Sequence, residues 1–306
     1  MTDLDALARQ ARDTARKNFG SRITFYVPGM FHYNGARGKY PAVSLTGNAC
    51  ALQCRHCRAK LLEPMIPATT PDELMTVCRR LEEKGDIGCL LSGGLSPDGT
   101  MPWLKFIPTI REIKARQSLK ISIHCGLLDE KTAWMLKEAG VDQALIDVIG
   151  EDLTLERVYN AGFKVRGIVA TLDVLQTAGI PFIPHIVAGL DHGVIMGEYR
   201  ALDIVRHYHP AAVVIVSLMP LPDTPMAGTK PPDARDIARL IATARMTIPS
   251  TPLALGCARK RGDNEIDVWA VKCGVNRIAI PSDQAVKQAQ DEGLEIEWRK
   301  TCCSLD

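Results

Sequence analysis

Short, nearly continuous apolar runs alternate with amphipathic stretches along most of the 306-residue chain. Apolar runs of this kind are typical of parallel strands that are buried on both faces of a sheet. They predict eight strands, at residues 42–47, 87–92, 119–124, 143–148, 182–187, 212–219, 252–257 and 276–280. The amphipathic stretches predict helices, of which four are clearest, at residues 71–85, 128–140, 169–179 and 233–246. Asp129 is a suitable N-cap for the second of these helices, and Gly140 follows its end.

The repeated alternation of strand and helix indicates an α/β fold. A (β/α) barrel of the TIM type, complete or partial, fits this order, and a doubly wound open sheet is the alternative. We expect residues 1–40 to form an N-terminal helical extension, residues 41–281 the barrel, and residues 282–306 a closing helix and a cysteine-containing tail. In such a barrel the chemistry lies where the strands end, and the unusual motifs of this sequence follow the predicted strands.

The composition excludes several classes of protein. The chain carries 37 Lys and Arg against 35 Asp and Glu, so neither nucleic acid nor a membrane is an expected partner. The first residues lack the apolar segment of a signal peptide, and no apolar stretch of about 18 residues follows. We therefore expect a cytoplasmic protein. Its ten cysteines are then expected to be thiols or metal ligands rather than disulfides.

Three cysteines stand close together directly after the first predicted strand, in the segment NACALQCRHCRAK. Cys50, Cys54 and Cys57 can surround one metal centre, because a short loop folds easily around a cluster a few ångströms wide. Iron–sulfur clusters take thiolate ligands, whereas zinc usually has a fourth Cys or His at a second paired spacing. His56 is not expected to ligate together with its neighbour Cys57. The sequence favours an iron–sulfur cluster, with a zinc site and plain buried thiols as the alternatives.

A Cys-x3-Cys-x2-Cys motif after the first strand of a (β/α) barrel resembles that of the radical S-adenosylmethionine (radical SAM) enzymes. The resemblance implies a [4Fe–4S] cluster on Cys50, Cys54 and Cys57, with a fourth iron that the amino and carboxylate groups of SAM chelate. In that family an electron from the cluster cleaves SAM to methionine and a 5′-deoxyadenosyl radical. The radical abstracts hydrogen from an unactivated carbon. The missing fourth cysteine is then the open coordination site.

Glycine-containing segments at later strand ends resemble the SAM-binding segments of that family. Gly93 and Gly94 match a glycine pair that meets the SAM amino group, although Leu95 replaces the acidic residue often found next. The stretches IVAGLDHG, with Gly189, and SLMPLPDTPM, with Met219, resemble segments beside the adenine. Taken singly, each is also compatible with an ordinary loop.

Two polar residues complete the expected SAM pocket. Asp147, near the end of the fourth predicted strand, is expected to bind the ribose or the amino acid part of SAM. His124, at the end of the third, is expected to line the pocket. A helix cap or surface carboxylate is the alternative role for Asp147, and a structural role is the alternative for His124.

From residue 40 to about 280 the motifs look most like those of the biotin synthase branch. In that branch an arginine touches a second cluster, and Arg259 in LALGCARKRG matches it. Cys89 and Cys125 fall near two of the three second-cluster cysteines. The third position is Ile183, a departure that argues against a biotin-synthase [2Fe–2S] site.

The remaining cysteines predict a different auxiliary site. Cys302 and Cys303 form a vicinal pair near the end of the sequence. We expect them to cap a barrel mouth and to ligate an auxiliary iron–sulfur cluster with Cys257 and Cys273. Free thiols on a disordered tail are the alternative. Cys78, within a predicted helix, is expected to be inert packing.

A biotin-synthase-like barrel with different second-cluster cysteines resembles the two-component lipoyl synthases, in which two homologous proteins insert sulfur into an octanoyl chain. The segments FHYNGARGKYPAVSLTGNACALQCRHC and SGGLSPDGTMPW have the look of that group. One-chain lipoyl synthases carry an extra cysteine motif before the SAM cluster, and no cysteine precedes Cys50 here. The resemblance implies hydrogen abstraction from octanoyl-lysine, followed by sulfur transfer from the auxiliary cluster.

The same resemblance implies particular partners. They are a homologous radical SAM subunit, an octanoylated lipoyl carrier domain or peptide, and an electron donor such as ferredoxin or flavodoxin. Two enzymatic alternatives remain open, a biotin-synthase-like enzyme and a mutase or ring-forming enzyme acting on a small metabolite. A metal-binding scaffold is the non-enzymatic alternative.

Overall fold

The computed structural model describes residues 3–262 and 264–305. The strands are β1 (Arg22–Tyr26), β2 (His32–Tyr33), β3 (Ala36–Arg37), β4 (Ala42–Ser44), β5 (Ile66–Pro67), β6 (Gly88–Ser92), β7 (Lys120–His124), β8 (Gln143–Asp147), β9 (Phe182–Ala188), β10 (Val213–Ser217), β11 (Leu253–Leu255), β12 (Arg277–Ala279) and β13 (Glu295–Arg299). The helices are α1 (Leu4–Phe19), α2 (Pro71–Glu83), α3 (Trp103–Arg116), α4 (Glu130–Glu138), α5 (Asp152–Thr154), α6 (Val165–Thr177), α7 (Glu198–Val205), α8 (Ala234–Thr247), α9 (Asn264–Lys272) and α10 (Asp283–Asp291). Within these described ranges, no helix combines the length and the apolar character that crossing a membrane requires.

Eleven strands form one sheet, in the order β13–β1–β12–β11–β10–β9–β8–β7–β6–β4–β5, and every neighbouring pair is parallel. From β6 to β12 the order across the sheet follows the order along the chain. A doubly wound sheet instead reverses its strand order at a switch point. The sheet curls into a half-barrel. The predicted partial barrel of the TIM type is therefore confirmed, and the doubly wound alternative is wrong.

Two apolar cores lie on the two faces of the curled sheet. Successive side chains of a strand point to opposite faces, so each central strand contributes to both cores. The outer core, which includes Ile215 of β10, packs against the helices. The inner core lies within the curl and includes Val214 of β10, Leu145 of β8 and Ile183 of β9. Burial on both faces explains why these strands read as continuous apolar runs.

The eight predicted strands are all present, as β4 and β6–β12, with ends that differ by a few residues. The predicted cap of α4 is also confirmed, because the Thr132 N–H donates to the Asp129 carboxylate over 2.7 Å. The hydrophobic pattern does not predict β1 or β13. In β13 the sequence EIEWR alternates charged and apolar residues at an edge of the sheet, so it lacks the continuous apolar signature of the inner strands.

Segments from both ends of the sequence join the sheet. β1 pairs with β12 and β13, and α1 packs against α8. After β13 the chain turns into the barrel, where Cys303, Ser304 and Leu305 are buried. Gln143 Nε2 donates to Ser304 Oγ over 3.0 Å, and Arg277 Nη1 donates to the Cys303 carbonyl over 3.1 Å. The domain limits at residues 40 and 281 stay a prediction, and the segments beyond them each supply a strand of the sheet.

Candidate active site

The segment after β4, residues 45–59, is hereafter the cysteine loop. It carries Cys50, Cys54 and Cys57, and all three residues line one cavity of about 180 Å³. Cys54 is buried, and Cys50 and Cys57 are half-buried. The cavity lies at the carboxyl ends of the strands, where a (β/α) barrel places its chemistry. The loop therefore presents its thiols to the expected rim.

Two backbone hydrogen bonds hold the cysteine loop against its neighbours. The Ala51 N–H donates to the Leu95 carbonyl over 2.9 Å, and the Arg55 N–H donates to the Val158 carbonyl over 2.7 Å. Leu95 follows β6, and Val158 follows β8. The segments after two different strands thus fix the position of the thiols.

The ligand atoms of Cys54, His56 and Cys57 lie within 4.8 Å of one another. This proximity corrects the expectation that His56 and Cys57 do not reach the same centre. The Nδ1 atom of His56 is buried and has no hydrogen-bond partner among the described residues. Cys50 lines the same cavity but does not belong to this compact group of ligand atoms.

The thiols of Cys54 and Cys57 share a hydrogen bond. Their mutual hydrogen bond lowers the pKa of Cys57 to about 4, against the opposing effect of burial and with help from His56. The same hydrogen bond, together with burial, raises the pKa of Cys54. A thiolate is the form that binds metal, so the shared hydrogen bond favours one thiolate in the pair, and metal binding releases the proton that remains.

A glycine pair after β6 packs directly on the cysteine loop. A Cβ atom on Gly94 would come within 2.1 Å of the Ala49 carbonyl oxygen and 2.4 Å of the Cys50 Cα. The Gly94 N–H donates to Thr46 Oγ1 over 2.7 Å. Gly93 and Gly94 both line the cavity. Only glycine fits at position 94, because any side chain there would displace the first cysteine.

Three titratable side chains from β7, β8 and β9 lie close together. His124 Nε2 is 3.5 Å from Asp147 Oδ1, and the rings of His124 and His185 are 6.2 Å apart. Burial would raise the pKa of Asp147, but His124 outweighs it and holds the pKa at about 2. Burial also disfavours charge on His124, yet Asp147 raises the pKa of this histidine. Burial lowers the pKa of His185 to about 4. At neutral pH the group therefore holds an anionic Asp147 and a neutral His185.

His124 and Asp147 line the cavity, as the sequence predicts. His185 is a residue that the sequence analysis does not single out. The available signal is the strand period of two, because His185 follows the inner-core residue Ile183 by two positions in FIPHIV. A polar residue on an otherwise apolar inner face marks the interior of the barrel.

Gly189 and Met219 are not among the described residues that line the cavity. The Gly189 N–H donates to Glu198 Oε1 over 2.6 Å, and a Cβ atom there would come within 2.3 Å of the Pro232 ring. These contacts give Gly189 a structural reason to be glycine. The predicted adenine contacts of both residues stay a prediction.

Three of the predicted auxiliary cysteines come together inside the barrel. Cys303 belongs to the inner core, and Cys257 and Cys302 pack against it. Burial raises the pKa of Cys257, and the neighbouring Cys302 raises it further. A hydrogen bond from Cys303 lowers the pKa of Cys302 to about 6. We call Cys257, Cys302 and Cys303 the inner thiols.

The other predicted auxiliary cysteines lie on the outer face of the sheet. The Cys273 thiol donates to the Ala238 carbonyl over 3.5 Å, between α9 and α8. Cys89 is hydrogen-bonded to Cys78 of α2, and Cys125 is buried in the outer core. The sheet separates these three cysteines from the inner thiols, so a shared cluster with Cys257 is not compatible with their placement.

Arg259, the predicted cluster-touching arginine, is fully occupied by the protein itself. Its guanidinium donates to both oxygens of Asp267, over 2.6 and 2.9 Å. It also donates to the carbonyls of Gly256, Ala279 and Ile280. These contacts use all five N–H donors of the group. Arg259 therefore joins the end of β11 to the end of β12 and has no donor left for a cluster.

Comparison with known proteins identifies the family of the chain. The profile of the Radical SAM superfamily matches residues 44–193, which contain the cysteine loop, and that of the Biotin and Thiamin Synthesis associated domain matches residues 205–296. The chain belongs to the radical SAM superfamily. As a radical SAM enzyme it uses a [4Fe–4S] cluster and SAM.

Biotin synthases are among the curated relatives of this radical SAM enzyme. That of Paramagnetospirillum magneticum is 28% identical over 259 residues, which cover 77% of this chain and 73% of the relative. That of Hyphomonas neptunium is 26% identical over 269 residues, covering 81% and 78%. Methylornithine synthase (PylB) has a similar fold, with a TM-score of 0.67, 18% identity and coverage of 97% and 90%. The FeFe-hydrogenase maturase HydG from Carboxydothermus hydrogenoformans also has a similar fold, with a TM-score of 0.69 and 16% identity. The match covers 96% of this chain and 72% of HydG.

The residues of the cavity fit the cofactors of a radical SAM enzyme. Thiolates are the ligands that iron–sulfur clusters take, and three of them face one cavity. Gly93 and Gly94 bring backbone, rather than side chains, to its wall. The ionised carboxylate of Asp147 lines the same cavity. Cys50, Cys54 and Cys57 would hold the cluster.

Proposed function

We propose that this radical SAM enzyme inserts sulfur into an unactivated C–H bond, and that the substrate is an octanoyl group on a lipoyl carrier. The observation that carries the proposal is the set of inner thiols, which lies inside the barrel and apart from the cysteine loop. Three thiols in one buried region are suited to hold an auxiliary iron–sulfur cluster, which contains sulfide. A mutase needs no second thiol set, so the inner thiols favour sulfur insertion.

The wall of the cavity supports an alkyl substrate. Beyond the cysteine loop it consists mainly of apolar side chains, among them Leu61, Leu62, Met65, Phe163 and Ile168. Such a wall orients a saturated chain by contact and keeps water away from a reactive radical. An octanoyl chain, which has no polar group along its length, matches this surface.

The chain's own residues prepare the radical step. When bound, the reduced cluster and SAM supply the 5′-deoxyadenosyl radical that abstracts hydrogen. Gly94 allows the segment after β6 to lie against Cys50 and so fixes that ligand. Asp147 stays ionised and binds the polar part of SAM, and His124 holds the carboxylate in position. The apolar wall places the substrate carbon beside this group.

A biotin-synthase-like reaction is the second candidate. The identities of 28% and 26% with biotin synthases over about three quarters of the chain favour it. The residues at the second-cluster positions differ from those of the biotin synthase branch and favour the octanoyl substrate instead. Arg259 is bound to Asp267, and the side chains of Cys89 and Cys125 lie in the outer core. A homologous partner subunit, a carrier domain, an electron donor and a cytoplasmic location belong to the proposal.

A direct assay separates the two candidates. We expect the anaerobically reconstituted protein, with dithionite and SAM, to add sulfur to an octanoyl-lysine peptide, read by the mass of the peptide, in the presence of the homologous partner. Dethiobiotin should remain unchanged under the same conditions. Sulfur added to dethiobiotin but not to the peptide would establish the biotin-synthase-like reaction. Cleavage of SAM without sulfur in either product would contradict sulfur insertion.

Replacement of Cys302 and Cys303 together by alanine tests the auxiliary cluster. We expect iron content to fall from about eight to about four atoms per chain, because one of two cubanes is lost. SAM cleavage should persist, since the cysteine loop is intact. Cys273→Ala is the matched control, because Cys273 is also buried but lies between α8 and α9. It should retain all iron, and unchanged iron in the double variant would contradict the assignment.

A further inference from the structure

The cysteine loop has two sides. Its residues Leu52, Cys54 and Cys57 line the cofactor cavity. Other residues of the same loop, Gln53, Arg55 and Arg58, line a second, polar groove on the other side of the loop, together with residues of neighbouring segments. The lining of this groove is Gln53, Arg55, Arg58, Glu156, Arg157, Asn160, His192 and Pro225. We call it the outer groove, and its wall includes the backbone that carries the cluster ligands.

The outer groove is positively charged. Arg55 and Arg58 are exposed, and neither has an acidic partner among the described residues. Arg157 is 3.7 Å from Asp191, which is buried and also contacts His192. The one carboxylate of the lining, Glu156, is paired with Lys164 outside it. Two unpaired guanidinium groups therefore remain to bind an acidic partner.

The groove is also preformed. Gln53, Arg58, Asn160 and His192 have φ angles of 45°, 47°, 55° and 51°. Non-glycine residues seldom adopt this conformation, and it persists where the surrounding structure fixes it. A surface whose backbone is fixed in this way loses less conformational freedom when a partner binds.

We propose that the outer groove docks a small acidic protein that delivers electrons to the cluster. The proposal rests on the radical SAM reaction, in which each SAM cleavage consumes one electron. In the step assigned to the groove, one electron leaves the reduced centre of the donor and reduces the cluster, and no bond is made or broken. Arg55 and Arg58 adjoin Cys54 and Cys57 in the sequence, so a donor bound to them lies close to the ligands.

The position of the groove favours an electron donor over the acyl carrier. A carrier domain must insert its acyl chain into the cavity, and the cysteine loop separates the cavity from the groove. An electron needs no open path, only a short distance through the loop. Charge complementarity between the arginines and an acidic donor accelerates association and makes it dependent on salt.

The test is a pair of charge reversals, Arg55→Glu with Arg58→Glu, in the full chain. Binding of oxidised flavodoxin, an acidic one-electron carrier, is measured by titration calorimetry at two salt concentrations. We expect the variant to bind at least about tenfold more weakly at low salt and to lose most of the salt dependence. The ratio of flavodoxin-driven to dithionite-driven SAM cleavage should fall by a similar factor.

Arg79→Glu is the control, because Arg79 is exposed on α2 and has no ion-pair partner among the residues described. It should leave flavodoxin binding unchanged. Equal flavodoxin binding by the wild type and the double variant would overturn the proposal. So would weaker binding of an octanoylated carrier domain with unchanged binding of flavodoxin. Failure of SAM cleavage with dithionite in the wild type would contradict the proposed function instead, and the binding measurement would still decide the docking site.

Discussion

Cys50→Ala should abolish formation of 5′-deoxyadenosine and the visible absorbance of the reconstituted protein. Cys50 is the ligand that distinguishes a three-thiolate cluster from a site made by Cys54, His56 and Cys57, whose ligand atoms lie within 4.8 Å of one another. With two thiolates left, the cluster loses a covalent attachment and dissociates. The measurement is product detection by chromatography after dithionite reduction, together with iron analysis.

His56→Ala is the matched control for this prediction. His56 lies on the same loop, and its Nδ1 has no partner among the described residues. We expect this variant to keep its iron, its absorbance and most of its SAM cleavage. The opposite pattern, with metal retained by Cys50→Ala and lost from His56→Ala, would show a mononuclear site of the zinc type and would contradict the cluster assignment.

Arg259→Ala should reduce the free energy of unfolding by about 3–5 kcal/mol, the usual cost of breaking a buried ion pair. The Arg259 side chain is 1% exposed, and that of Asp267 is 6% exposed. The substitution leaves the Asp267 carboxylate without its partner and removes three hydrogen bonds to carbonyls. Urea denaturation of the metal-free protein measures the loss without any contribution from clusters.

Arg206→Ala is the control, because the ion pair between Arg206 and Asp203 is exposed. We expect this substitution to change the free energy of unfolding by less than about 0.5 kcal/mol. The Arg259→Ala variant could instead keep the stability of the metal-free protein and lose iron on reconstitution. That result would show that Arg259 contacts a cluster. The two measurements therefore separate a structural role from a ligand role.

The strands could be predicted because both of their faces are buried. A continuous apolar run such as AVVIVSLM, from which β10 forms, is a strong signal in any window. β13 could not be found in this way, because three of its five side chains are charged and it lies at the sheet edge. Its pairing with β1 is a long-range contact, and local sequence carries no information about such contacts.

The positions of the cysteines show the same limit. Spacing alone places Cys50, Cys54 and Cys57 on one loop, and all three line one cavity. Cys257 and Cys302 meet only through the fold. The sequence predicts that Cys273 joins them, but its thiol faces α8. A cysteine can belong to the inner thiols only if its side chain lies on the inner face of the sheet. The exact register of a strand or helix end determines that face.

The pairing of β1 with β12 and β13 has a consequence for synthesis of the protein. Residues Arg22–Tyr26 leave the ribosome early, but the strands that flank them are Arg277–Ala279 and Glu295–Arg299. At about 5–20 residues per second, roughly 10 to 50 s separate the two events. During that interval the apolar segment ITFY has an open edge on both sides, a hazard for aggregation. The nascent chain should therefore depend on a chaperone until β13 is made.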